Sequence, residues 1–184
     1  MSRVVTGLQA LCETPQLIGG RNWALLANQS AVSLELEPAR AALVAADAGP
    51  LTRLFAPEHG LDGIEQDMEA VADRHDPLTG VEVRSLYGSS AETLAPSVED
   101  LSDVDVLVVD LPDIGARYYT FAATMDWVMG ACERASVEVM VLDRPNPIGG
   151  LLREGGLVRP GCSSFVSQLP TPVRHGLTLG EIAL

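Results

Sequence analysis

Short apolar runs that each stop at a polar or Gly/Pro-containing cluster constrain the fold of this chain more than any other feature. Five runs have the length of a strand: Trp23–Ala27 and residues 51–55, 81–86, 104–109 and 137–142. Segments with the apolar spacing of a helix lie at residues 35–46 and at Phe121–Ala135. Strands that alternate with helices are typical of a parallel sheet with helices on its faces. We therefore predict an α/β, Rossmann-like doubly wound fold with a mainly parallel sheet.

The dinucleotide fingerprint of that fold is missing after the first predicted strand. A GxGxxG motif would be expected there in a dinucleotide-binding domain, but Asn28-Gln29-Ser30 stands in its place. No Walker A motif occurs in the sequence. We therefore expect a Rossmann-like fold without a dinucleotide, and we expect no cofactor.

Charge and composition argue against several classes of partner. The 184 residues carry a formal net charge of −13 and no basic tract, which makes nucleic acid and anionic membranes poor partners. No apolar run approaches the roughly 20 residues of a membrane helix, and residues 1–7 lack the apolar core of a secretory signal. We therefore expect a single domain that is either cytoplasmic or a mature form whose signal is absent from this chain. Its three cysteines lack a metal-binding spacing and are expected to be reduced thiols.

The two ends of the chain each predict a short helix. Residues 4–12 fit a helix that covers an edge of the sheet. Thr178 and Glu181 have the spacing of a capping box, in which each side chain binds a backbone N–H at the start of a helix. The chain stops within about two turns of that start, and we therefore expect a fragment of a longer protein.

Polar side chains follow all five predicted strands. Parallel strands place their carboxyl ends along one edge of the sheet, where ligands bind in open α/β folds. The residues at these positions are Asn28, Glu58 and His59, Tyr87, Asp110 and Asp113, and Asp143, Arg144 and Asn146. Their convergence predicts a ligand site at this edge.

Glu58 and His59 follow Pro57, which fixes the turn at the strand end. A carboxyl group held in apolar surroundings could act as a general acid, with His59 orienting it or acting as a base. The alternative is a helix-capping Glu or an exposed loop pair. Because the other strand ends converge on the same edge, we favour the functional interpretation.

The segment after residue 109 is the densest polar cluster. Asp110 and Asp113 could bind sugar hydroxyls, hold Arg117 or contribute to a metal site. Arg117 could form a structural ion pair with Asp113 or clamp a substrate carboxylate. Tyr118 and its neighbour Tyr119 could stack on a sugar or donate a hydrogen bond, and simple packing is the alternative.

Two later segments could add to the site. Asp143, Arg144 and Asn146 lie in a rigid loop with two prolines, which either presents polar groups or only ends the strand. His175 could reach the site from a late loop, although no histidine has a metal-binding spacing to another. Residues 61–80 are acidic and lack apolar periodicity. They predict a long loop with one helical turn at 64–70, in which His75 is solvated.

Six motifs occur in an order that is typical of one family. They are residues 57–60 (Pro-Glu-His-Gly), 85–88 (Ser-Leu-Tyr-Gly), 110–120, 142–147 (Leu-Asp-Arg-Pro-Asn-Pro), 154–155 (Glu-Gly) and 175–181. On these motifs the chain resembles the exo-β-N-acetylmuramidase family of glycoside hydrolases, from about Thr6 to its end.

The resemblance implies release of N-acetylmuramic acid from the non-reducing end of peptidoglycan fragments. It implies that residues 1–184 are a Rossmann-like catalytic N-terminal domain, and that a smaller C-terminal domain is absent from this chain. Glu58 corresponds to the family's candidate general acid. Other motif residues are implied to line the substrate site: His59, Tyr87, Asp110, Asp113, Arg117, Tyr118, Asp143, Arg144, Asn146 and His175. Many relatives are secreted or periplasmic, so that location is the alternative to the cytoplasm.

Hydrolysis of a glycoside usually requires a second carboxyl group. The sequence leaves it open among Asp110, Asp113, Asp143, Glu65 and the remainder of a longer protein. The lactyl carboxylate of muramic acid could pair with Arg117 or Arg144.

Two other functions remain as alternatives. One is a non-catalytic domain that binds muropeptides or sugars. The other is a metal-dependent hydrolase that uses Glu58, His59, Asp110 and His175.

Overall fold

The computed structural model describes residues 4–63, 74–86 and 91–184. These residues form one six-stranded sheet: β1 (Trp23–Ala27), β2 (Leu51–Ala56), β3 (Arg74–His75), β4 (Glu82–Ser85), β5 (Val106–Asp110) and β6 (Glu138–Val141). The strand order is β3-β4-β2-β1-β5-β6, and every pair is parallel except β3 with β4. Numbered in chain order, the five parallel strands therefore run 3-2-1-4-5, which is the doubly wound order with a switch point between β1 and β5. The predicted fold class is confirmed.

In the described ranges, four α-helices accompany the sheet: α1 (Gly7–Glu13), α2 (Ala39–Ala45), α3 (Phe121–Ala135) and α4 (Leu179–Ile182). Short 3-10 turns occur at Pro15–Leu17, Ala91–Leu94 and Phe165–Ser167. Within the described ranges, no helix has the length and apolar character needed to cross a membrane.

The core lies on both faces of the sheet, because successive side chains of a strand point to opposite faces. Leu25 and Leu54 pack in one cluster with the helical residues Leu8, Leu11 and Leu43. Leu26 and Phe55 pack in the opposite cluster with Phe121, Met125 and Val128 of α3. Every residue of β1 and β5 is therefore buried, as expected for central parallel strands.

Two helices differ from their predicted positions. We predicted that the first helix covers an edge of the sheet, but α1 packs on a face, with Leu8 and Leu11 in the core cluster of α2. The second begins at Ala39 rather than at 35, because Pro38 serves as its N-cap and Leu36 adopts a left-handed φ of 63°. A proline at a helix start lacks only an N–H that would be unpaired there anyway.

The acidic segment contributes a short strand to the sheet, where a loop was predicted. Arg74–His75 forms the edge strand β3 instead of a loop, and His75 remains exposed. The side chain of Asp76 is buried, and it accepts hydrogen bonds from Arg40 and Thr79. Asp62 pairs with Arg74 across the segment. The predicted helical turn at 64–70 lies outside the described residues.

Candidate active site

An ion pair between Asp110 and Arg144 lies at the switch point of the sheet. Arg144 donates to both oxygens of Asp110, from Nε at 2.6 Å and from Nη2 at 2.8 Å, and also to the carbonyl oxygen of Val32 at 3.1 Å. The Asp110 side chain is fully buried. Burial raises the pKa of this carboxyl group, and the Arg144 hydrogen bonds act in the opposite direction. These two predicted site residues therefore bind each other.

Glu58 lies in a tight turn immediately after β2. The Gly60 N–H donates to the Pro57 carbonyl oxygen at 2.9 Å. Between them, His59 adopts a φ of 68°, a left-handed conformation that is costly for a residue with a side chain. This turn leaves Glu58 half-buried, and its Oε2 accepts a hydrogen bond of 2.7 Å from the Thr120 hydroxyl.

Thr120 holds Glu58 instead of capping a helix. It occupies the N-cap position of α3, where a threonine oxygen ordinarily accepts a hydrogen bond from the first turn. The Thr120 side chain makes no such bond, and its hydroxyl donates to Glu58. Glu58 thus lies beside the N-terminus of a 15-residue helix, where the helix dipole favours a negative charge.

Asp113 and His175 form a second pair at this edge. Asp113 Oδ2 accepts the Gly115 N–H at 2.6 Å and lies 3.1 Å from His175 Nε2. His175 Nδ1 accepts the Leu177 N–H, so a neutral His175 carries its proton on Nε2, facing Asp113. The side chains are only 1% (His175) and 6% (Asp113) exposed. Although the two groups are close, they form no hydrogen bond, and among the described residues Asp113 Oδ1 and His175 Nε2 have no hydrogen-bond partner.

Tyr119, not the predicted Tyr118, lies within this cluster. Tyr118 is 59% exposed, whereas Tyr119 is half-buried with its ring 4.6 Å from that of Phe121. Burial raises the pKa of the Tyr119 hydroxyl, and the charges of Asp113 and Glu58 raise it further. Tyr119 directly precedes Thr120, whose hydroxyl binds Glu58. No pattern in the sequence distinguishes these two adjacent tyrosines.

Arg117 binds backbone carbonyl groups rather than Asp113. Its Nη1 donates to the carbonyl oxygens of Gly156, at 2.9 Å, and of Thr171. The structural ion pair with Asp113 that the sequence suggested is absent from the described residues, since Asp113 faces His175. Arg117 joins the loop after β5 to the last third of the chain.

Asp143 and Asn146 organise the segment before α4. Asp143 accepts hydrogen bonds of 2.8 Å from the Thr178 hydroxyl and from the Gly180 N–H. Asn146 donates to the Leu177 carbonyl oxygen, also at 2.8 Å. The capping box predicted for Thr178 is confirmed. These contacts help to place the histidine of the preceding loop beside the site.

Two predicted site residues remain. His59 is exposed at the turn that carries Glu58. Tyr87 lies outside the described residues. In the described part of the chain, no three His, Cys, Asp or Glu side chains are grouped so that they could hold a metal ion.

Comparison with known proteins identifies the family. Residues 23–184 match the family described as "Exo-beta-N-acetylmuramidase NamZ, N-terminal". The chain is 39% identical over 182 residues to the peptidoglycan β-N-acetylmuramidase NamZ of Bacillus subtilis (strain 168), with coverage of 98% of this chain and 43% of that protein.

Two solved structures of DUF1343 family proteins from Bacteroides fragilis NCTC 9343 share the fold. One is 41% identical with a TM-score of 0.87, over 97% of this chain and 44% of its own. The other is 28% identical with a TM-score of 0.77, over 99% of this chain and 46% of its own. The chain thus spans less than half the length of these relatives. The family predicted from the six motifs is confirmed: the chain belongs to the NamZ exo-β-N-acetylmuramidase family and corresponds to its N-terminal domain.

Proposed function

We propose that residues 1–184 form the domain that carries the general acid of a glycosidase, which releases N-acetylmuramic acid from the non-reducing end of peptidoglycan fragments. The observation that carries this proposal is the hydrogen bond of 2.7 Å between Thr120 and Glu58 at the carboxyl edge of the sheet. The name of the Bacillus subtilis relative, a peptidoglycan β-N-acetylmuramidase, supports the substrate.

The Thr120 hydroxyl determines which oxygen of Glu58 acts. Because Oε2 accepts its hydrogen bond, the proton of a protonated Glu58 resides on Oε1. That proton passes to the glycosidic oxygen as the bond to the sugar breaks, so that the leaving group departs as an alcohol. The resulting carboxylate is stabilised by Thr120 and by the N-terminus of α3.

The second catalytic group lies, in our proposal, outside the described residues. Asp110 is fully buried against Arg144. Asp143 accepts hydrogen bonds from three donors: Thr178, Gly180 and the Arg144 N–H. Asp113 is enclosed with His175. None of these three carboxylates meets the requirement for an oxygen that contacts both water and the sugar.

Arg117 is the better of the two arginine candidates for the lactyl carboxylate. Arg144 is neutralised by Asp110, since its guanidinium contacts both carboxylate oxygens. Arg117 contacts only neutral carbonyl oxygens in the described residues, so its positive charge remains available to an anion.

The test is release of N-acetylmuramic acid from a 4-nitrophenyl muramide and from a natural muropeptide by the full-length protein. Glu58→Gln should reduce muropeptide turnover by about 10²- to 10⁴-fold, the usual contribution of a general acid. The nitrophenyl substrate should be less affected, because its leaving group needs little protonation. Glu35→Gln, at an exposed position outside the site, is the matched control.

Three outcomes would contradict the proposal. Full activity of Glu58→Gln on the muropeptide would show that Glu58 is not the general acid. Binding of muropeptide in calorimetry without turnover by the full-length protein would instead support a non-catalytic sugar-binding domain. Loss of activity on chelation would favour the metal-dependent alternative.

A further inference from the structure

We infer that Tyr119 is a further substrate-contacting residue, whose hydroxyl donates a hydrogen bond to an uncharged oxygen of the sugar bound beside Glu58. This inference rests on the proposed function, since it deepens the description of the same site. It concerns a tyrosine that the sequence analysis considered beside Tyr118 but did not include among the predicted site residues.

The position of the Tyr119 ring is fixed by its neighbours. Its N–H donates to the Ala116 carbonyl oxygen at 2.9 Å, and its ring packs against Phe121 at 4.6 Å between centroids. The next residue, Thr120, binds Glu58 through its side chain. Tyr119 therefore directly precedes the residue that holds the proposed acid, which places the phenol at the edge where we propose that the sugar binds.

The hydroxyl of Tyr119 is unpaired in the part of the chain that the structure describes. It makes no hydrogen bond there, although its ring is half-buried. This hydroxyl is not among the enclosed polar atoms that lack a partner, so it is open to a molecule that enters the site. A phenol that is held rigidly and lacks a partner is suited to bind a ligand.

The surrounding charges determine what kind of atom this hydroxyl can bind. Asp113 and Glu58 both oppose ionisation of Tyr119, so the phenol keeps its proton and acts as a donor. Asp113 is itself held by the Gly115 N–H, which donates to its Oδ2. An anionic group would be repelled by Asp113, and also by Glu58 whenever Glu58 is ionised. The acceptor is therefore a neutral hydroxyl or amide oxygen of the sugar, and not the lactyl carboxylate.

The experiment compares two adjacent tyrosines in the full-length protein. Tyr119→Phe should reduce kcat/KM for the muropeptide by about tenfold, the effect of losing one hydrogen bond, without changing the thermal unfolding midpoint. Tyr118→Phe, which removes a hydroxyl from the exposed neighbour, should reduce kcat/KM by less, and Glu35→Gln, at an exposed position outside the site, should retain wild-type kinetics. The inference is overturned by wild-type kinetics in Tyr119→Phe or by an equal loss in Tyr118→Phe.

Calorimetric binding of N-acetylmuramic acid separates this inference from the proposed function. If the wild-type protein shows no turnover, the proposed function fails, and binding then decides the role of Tyr119. Weaker binding by Tyr119→Phe than by Tyr118→Phe would support the inference. Equal affinities, or an absence of binding to the wild-type protein, would overturn it.

Discussion

Asp110 and Glu58 are carboxylates at the same edge of the sheet, but their surroundings differ. Asp110, the last residue of β5, is fully buried, and both its oxygens accept hydrogen bonds from the cation Arg144. Glu58, just after β2, is half-buried and is held through one oxygen by a neutral hydroxyl. The first carboxylate is paired with a cation and stabilises the fold. The second has one oxygen, Oε1, that accepts no hydrogen bond from the described residues.

The comparison shows why burial alone does not identify a catalytic group. A buried carboxylate with a bidentate arginine has both oxygens occupied by the protein and shielded from a substrate, whereas one held by a single hydroxyl keeps an oxygen that a substrate can reach. A similar contrast applies to the arginines, since Arg144 is paired with a carboxylate and Arg117 is not in the described residues. We expect substitutions at the two positions to affect different properties, either stability or turnover.

The largest expected effect is a loss of stability when the ion pair between Asp110 and Arg144 is broken. Arg144→Met should lower the free energy of unfolding by about 3–5 kcal/mol, because it leaves Asp110 as a buried charge without a partner. Urea denaturation measures this change. Arg134→Met, at an exposed position in the last turn of α3, is the control and should change stability by about 0.5 kcal/mol or less. Equal stability of the two variants would show that the pair does not hold the switch point together.

A smaller effect is expected from the hydroxyl that holds Glu58. Thr120→Val should reduce turnover of the muropeptide by about tenfold or more, because a hydrogen bond to a carboxylate is lost, with little change in stability. Thr120→Ser should restore turnover. Thr124→Val removes a buried hydroxyl one turn later in α3 and is the control for general helix damage. An equal loss of turnover in Thr120→Val and Thr124→Val would show that the Thr120 hydroxyl has no specific role at Glu58.

The smallest expected effect is a change in the titration of Tyr119. Glu58→Gln should lower the pKa of Tyr119 towards its ordinary value, because it removes one of the charges that raise it. Absorbance titration in a Tyr87→Phe/Tyr118→Phe background leaves Tyr119 as the only tyrosine. The side chain of Glu35 is exposed and lies outside the cluster, so Glu35→Gln should leave the pKa of Tyr119 unchanged.

The sign of the linked stability follows from the direction of this shift. The folded state holds the Tyr119 proton more tightly than the unfolded chain. The stabilisation is therefore complete below about pH 10, the pKa of an unperturbed tyrosine, and is lost as the pH rises through the folded pKa. A pKa of Tyr119 that is the same in the wild-type and Glu58→Gln proteins would show that Glu58 does not act on the phenol.

Much of the fold could be predicted from the sequence because its signals are local. The apolar run at Trp23–Ala27 and the helical spacing at Phe121–Ala135 occur where predicted, and both are set by burial of their own side chains. The parallel sheet then placed Glu58, Asp110 and Asp143 at one edge, as expected. Strand β3 was missed because its two residues have no pattern of their own, and β4 provides their hydrogen bonds.

By itself, the sequence determined the five parallel strands, the doubly wound class, the family and the edge at which polar groups converge. Only the tertiary structure decided the partners of those groups: Asp110 with Arg144, Asp113 with His175, Thr120 with Glu58, and Tyr119 rather than Tyr118 in the cluster. The physical reason is that an element forms from neighbours in sequence, whereas a side chain pairs with whatever the packed sheet and loops bring within about 3 Å. Residues 58 and 120, and residues 113 and 175, are each about 62 positions apart in sequence, and folding alone brings them together.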